Sequence, residues 1–145
     1  MQQTIKISCK ISNTDQAVPL GLEIWLDDQQ IYNQSQITGT QIFEHEMPDE
    51  EDEHELRFVM KNKQADHTTV DEAGHIVKDA RLIISDLCLD QVALGHIFSE
   101  QAVYTHNFNG TAAETQQKFY GEMGCNGTVC LSFDTPIYLW LLEHM

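Results

Sequence analysis

Apolar and polar residues alternate along most of this chain with a period of two, the spacing that turns one face of a β-strand to a core and the other to solvent. Ile5, Ile7, Cys9 and Ile11 form one apolar row, with Lys6, Ser8 and Lys10 between them. Leu20, Leu22, Ile24 and Leu26 form the next and leave Glu23 and Trp25 on the opposite face. Asp27-Asp28-Gln29 then predicts a tight turn into a short return strand around Ile31 and Tyr32. Ile42 to Met47 is a further strand, and Leu56, Phe58 and Met60 resume the alternation with Arg57 and Val59 facing the other way. Asp71-Glu72-Ala73-Gly74 lies between Thr69-Val70 and Ile76-Val77, the pattern of a four-residue hairpin loop. Ala80 to Leu89 is apolar nearly throughout, which predicts a central strand buried on both faces. Val103 to Phe108 reads as a strand before an Asn109-Gly110 turn, and Val129, Leu131 and Phe133 alternate after an Asn126-Gly127 turn.

Few segments depart from this pattern. Pro48-Asp49-Glu50-Glu51-Asp52 is a loop, by its proline and by the repulsion of consecutive carboxylates, and Asn62 to Thr69 is polar and irregular. Gln91 to Phe98 fits a strand or a short turn of helix, and Thr111 to Lys118 has helical composition. Thr135-Pro136 suits the start of a short terminal helix over Ile137 to His144, with Thr as cap and Pro in the first turn. Short strands at close spacing with turn-rich joints predict an all-β fold, a jelly-roll-like β-sandwich with a short C-terminal helix. At 145 residues the chain is one domain, 1–145, because either half alone is too small to stabilise itself.

Charge narrows the function. Eight Lys and Arg stand against 23 Asp and Glu, a net of −15. Phosphate backbones and anionic lipid headgroups repel such a surface, so neither nucleic acid nor a membrane surface is expected as partner. No apolar run approaches the roughly 20 residues that span a bilayer, and Met1 to Lys6 lacks the pattern of a secretory signal, so synthesis in a cytoplasm and retention there until an assembly step are expected. Cys9 and Cys88 lie in apolar segments as small buried hydrophobes, and Cys125 and Cys130 form the one close pair, read as free thiols with a disulfide as the alternative.

Candidate chemistry is sparse. Glu44, Glu46, Asp49 to Glu53 and Glu55, with His45 and His54 interleaved, lack the spacing and central glycine of an EF-hand and read as a solvated charge run. Asp71, Glu72 and Asp79 bracket the predicted hairpin, and a returning Asp79 would make with them an oxygen cage for Ca²⁺. No His pair has helical metal spacing, no Gly-x-Ser-x-Gly elbow occurs and no glycine-rich phosphate loop occurs, so no enzyme is expected. Trp25, Tyr32, Tyr104, Tyr120 and Trp140 are the aromatic candidates for a binding face, each weighed against ordinary core packing.

Three segments carry a resemblance. They are Leu22-Glu23-Ile24-Trp25-Leu26-Asp27-Asp28-Gln29, His54-Glu55-Leu56-Arg57-Phe58-Val59-Met60, and Asp79-Ala80-Arg81-Leu82-Ile83-Ile84-Ser85-Asp86-Leu87. With Asn107-Phe108-Asn109-Gly110 and Thr135-Pro136-Ile137-Tyr138-Leu139-Trp140, the chain resembles small β-sandwich structural proteins of tailed phages, cyanophages in particular. Its central half resembles calcium-dependent xylan-binding carbohydrate modules. The first resemblance implies a virion subunit, in the decoration, neck, tail or fibre, docked onto other virion proteins as a homo-oligomer or in multiple copies. The second implies attachment to a polysaccharide, with Ca²⁺ near Asp71, Glu72 and Asp79. No cofactor is required by either reading beyond that ion.

Overall fold

The structure is a computed structural model that describes residues 4–14, 20–61, 68–70, 72, 76–107, 113–124 and 126–144, of which 68–70 and 76–79 by backbone alone. In chain order the elements are β1 (Thr4–Asn13), β2 (Leu20–Leu26), β3 (Gln29–Ile37), β4 (Thr40–Pro48), β5 (Asp52–Lys61), β6 (Thr68–Val70), β7 (Ile76–Asp79), β8 (Leu82–Leu89) and β9 (Val92–Ala93). They continue with α1 (His96–Gln101), β10 (Val103–His106), β11 (Thr115–Lys118), β12 (Glu122–Met123), β13 (Gly127–Thr135) and α2 (Ile137–His144). One sheet runs β12-β8-β1-β4 with β9 on β8, and the other runs β11-β10-β13-β5-β2-β3. The two sheets pack face to face as an all-β sandwich, and one continuous apolar cluster fills the space between them.

The alternating rows are the reason for this packing. Ile5, Ile7, Cys9 and Ile11 of β1 and Leu20, Leu22, Ile24 and Leu26 of β2 all point into the cluster, together with Leu56, Phe58 and Met60 of β5 and Val129, Leu131 and Phe133 of β13. Asp27 makes the β2–β3 turn in the left-handed region, φ 55°, which aspartate tolerates better than most residues. Its Oδ1 accepts the Glu55 N–H (2.9 Å) and ties the turn to β5. At Thr38-Gly39 the chain leaves the second sheet as β3 and enters the first as β4, so that edge of the sandwich turns a corner. Buried Asn13 holds the corner, donating from Nδ2 to the Ile37 carbonyl (2.7 Å) and from its backbone N–H to the Gly39 carbonyl (3.1 Å).

Several elements differ from the sequence reading. The return strand around Ile31 and Tyr32 is nine residues long, because its main chain ladders along β2 although most of its side chains are polar and exposed. β8 is an interior strand, between β1 on one side and β12 and β9 on the other, but it is not buried on both faces: Ile83 and Cys88 are half-buried, and Asp86 is exposed where an extra residue bulges the β1–β8 ladder. Thr115–Lys118 is a strand, not a helix, since pairing with Val103–His106 outweighs the propensity of four polar residues. Gly127 opens β13 rather than turning, and a Cβ there would lie 2.4 Å from the Thr105 carbonyl oxygen, so the close crossing of β10 demands glycine. Gln91 to Phe98 divides into β9 and the start of α1. The turn at Asn109-Gly110 and the thiol of Cys125 lie outside the described residues.

Candidate functional site

α2 carries more apolar surface than one core contact absorbs. Ile137, Trp140 and Leu141 face β13 and are buried, with the Trp140 ring edge-on to Phe133 at 6.2 Å. Tyr138, Leu139 and Leu142 point the other way and are 51%, 61% and 69% exposed. Among the described residues, half of the six exposed large hydrophobics therefore sit on one two-turn helix (the others are Ile42, Val103 and Tyr120).

The helix is held in place from the β4–β5 loop. Asp49 Oδ1 accepts the Ile137 N–H (2.9 Å), satisfying a donor that the first turn leaves without an intrahelical partner. Thr135, the cap expected from sequence, donates its hydroxyl to the Glu50 carbonyl instead. His54 bridges the same region, with Nδ1 2.9 Å from Asp27 Oδ2, Nε2 3.1 Å from Thr135 Oγ1 and its ring stacked at a tilt on Phe133. Part of the run that reads as solvated charge is thus structural: it anchors the helix.

A concavity of about 540 Å³ opens beside α2, where Leu139 and Trp140 meet Glu51, Asp52, Glu53, Asp134 and Glu143. All five carboxylates are exposed, no basic residue lines the hollow, and none of the five has a cationic partner among the described residues. Glu53 and Asp134 face each other across the β5–β13 ladder and also line a second, smaller hollow with Asp27 and Glu55. The carboxylate field therefore runs from the helix onto the outer face of the six-stranded sheet.

The aromatic candidates are dispersed. Tyr104 and Trp140 are buried at 3% and 4%, so they are core residues and offer no ring to solvent. Tyr32 is half-buried at the corner, where its hydroxyl donates to Gln41 Oε1 and its ring meets Phe43 edge-on at 5.6 Å. Trp25 lies half-buried on the outer sheet face with the Arg57 guanidinium 5.8 Å from its ring centre and its Nε1 donating to Glu23 (3.2 Å). A hydrogen bond from Lys61, ahead of its other contacts, lowers the Glu23 carboxyl below the usual range. Tyr120 alone of the five is fully presented, 77% exposed beside a hollow of about 400 Å³ lined by Ser85, Asp86, His96, Ser99 and Phe119. Ser99 donates its hydroxyl to the His96 carbonyl (3.0 Å).

The backbone hairpin expected for the calcium cage is present, with β6 and β7 antiparallel. Its register sets Asp79 across from Thr68, at the open end, while exposed Glu72 lies in the turn. Asp71 and the Asp79 side chain lie outside what the structure describes. Among the described residues no group of three or more His, Cys, Asp or Glu converges in the manner of metal ligands. Among the same residues no helix is long and apolar enough to cross a membrane.

No protein-family model, curated protein or solved structure matches this chain. Its own residues, with the resemblance drawn from sequence, are the grounds for a functional reading.

Sequence patterning alone misses the exposed half of α2. A signal for it is nonetheless present: Ile137-Tyr138-Leu139-Trp140-Leu141-Leu142 is apolar all round, and a helix with one core contact needs only a stripe.

Proposed function

We propose that this chain is a non-catalytic structural or accessory subunit of a tailed phage particle, which acts by docking onto other particle proteins. The observation that carries it is the double-sided apolarity of α2, with three residues spent on the core and Tyr138, Leu139 and Leu142 left at the surface. Exposed apolar residues on a small, fixed element beside polar groups are the usual anatomy of a protein contact. The resemblance to phage β-sandwich proteins supplies the setting. The test is co-sedimentation of the purified chain with tailed-phage particles lacking it, comparing wild type with L139S/L142S. Wild type is expected to sediment with particles and the variant to stay in solution with unchanged circular dichroism. Equal sedimentation of both removes α2 from the reading.

A polysaccharide-binding reading has one specific observation in its favour. Tyr120 stands exposed beside a hollow with Asp86, His96 and Ser99, an aromatic platform next to hydrogen-bonding groups. Retardation in native gels containing soluble xylan, lost in Tyr120→Ala, supports this reading, and equal mobility with and without xylan excludes that glycan.

A further inference from the structure

The chemistry around α2 specifies its partner more narrowly than docking alone, provided that the docking reading holds. Two features lie side by side. Leu139 and Leu142 offer apolar surface on the helix, and Leu139 extends it into the hollow of about 540 Å³. Five exposed carboxylates without cationic partners among the described residues complete the hollow. Placing any protein surface over α2 strips water from those carboxylates, which is unfavourable unless cations meet them. An uncharged or acidic partner would leave them buried and unpaired.

The geometry points to a basic segment of a different protein, one that seats an apolar side chain against Leu139 and Leu142 and pairs lysine or arginine with Glu53, Asp134 and Glu143. A second copy of this chain does not meet the requirement. A two-fold contact apposes the same patch on both subunits, which would set the five carboxylates against five more. The chain has only eight Lys and Arg for 23 Asp and Glu, and four of them (Lys6, Arg57, Lys61 and Arg81) are already paired with glutamates. Apolar anchor and charge act differently: the anchor slows dissociation, while the carboxylate field speeds encounter and falls with salt.

The probe is a fluorescent 14-residue helical peptide of leucine and lysine, read by anisotropy against the full chain, beside two controls with lysine replaced by glutamate or leucine by serine. Binding of the Leu/Lys peptide is expected, with affinity down roughly tenfold or more in L139S/L142S and again in E53Q/D134N/E143Q. Both controls should bind weakly, and affinity should fall as NaCl rises. Unchanged affinity in L139S/L142S means the peptide merely coats an acidic surface, and the inference is overturned. Light scattering on the same samples separates the two levels of the claim. Self-association lost in L139S/L142S would show that a second copy covers α2, so the basic-partner inference fails while docking through α2 stands. No peptide binding, no self-association and no co-sedimentation with particles would sink both.

Discussion

Cys9 faces the interior from β1, and burial, reinforced by Cys88 on the neighbouring strand, pushes its thiol up to about 12 from an ordinary value of 9.0. Proton counting gives the sign of the consequence. Between those values the unfolded chain ionises at Cys9 while the folded chain keeps its proton, so the folded state binds more protons and loses stability as pH rises. The contribution is complete below pH 9.0 and declines by about 1.4 kcal/mol per pH unit above it. Urea unfolding from pH 8 to 11 should show this limb, and Cys9→Ala, less stable at pH 8 for its lost packing, should flatten it. An equal alkaline slope in both proteins would refute the assignment. At this scale the sequence is legible where a side chain belongs to an alternating row, and Cys9 as a small buried hydrophobe is an example. It is not legible for the aromatics. Tyr104 is buried and Tyr120 exposed, although each directly follows an apolar residue, Val103 or Phe119, because tertiary neighbours, Phe119 and His106, cover the Tyr104 ring.

At the scale of elements, the contact that orients the proposed docking helix comes from a residue 88 positions earlier, the Asp49 carboxylate on the Ile137 N–H. Removing a cap of this kind costs about 0.5–2 kcal/mol. Asp49→Ala should therefore lower global stability modestly and accelerate hydrogen exchange at the α2 amides more than at those of β1 or β5. Uniform exchange changes across all three would mean that Asp49 has no special hold on the helix. The same long-range logic separates the elements legible in sequence from the rest. β1, β2, β5 and β13 are legible because each buries one face against the other sheet, which writes the period of two into the chain. β11 is an edge strand with polar side chains on both faces, so its existence depends on a neighbour's free main-chain groups and leaves no such period, and the edge strand β3, legible only around Ile31 and Tyr32, extends to nine residues on the same kind of support. The Thr38-Gly39 corner is equally silent, since its stabilising partner is Asn13 from another strand.

Across the whole molecule, repulsion opposes compactness. A net charge of −15 on one domain is only partly answered by the four lysine- and arginine-mediated pairs among the described residues, so screening should stabilise the fold. Raising NaCl from 10 to 200 mM is expected to lift the melting temperature by a few degrees, on the order of 1 kcal/mol for a chain this size. Divalent cations will screen as well, which gives a way to separate screening from a built calcium site. Oxygens coordinate Ca²⁺ at roughly 2.3–2.6 Å and must converge on one point. The β6–β7 register places Asp79 level with Thr68 at the open end of the hairpin, two residues' rise or roughly 7 Å at 3.3 Å per residue from Val70, while Glu72 lies in the turn beyond. That spacing predicts that CaCl₂ and MgCl₂ at equal concentration raise the midpoint equally, and that Asp79→Ala leaves the shift unchanged. A larger shift with calcium, abolished in Asp79→Ala, would mean that the hairpin closes around the ion, and polysaccharide attachment at Tyr120 would then become the first function to pursue.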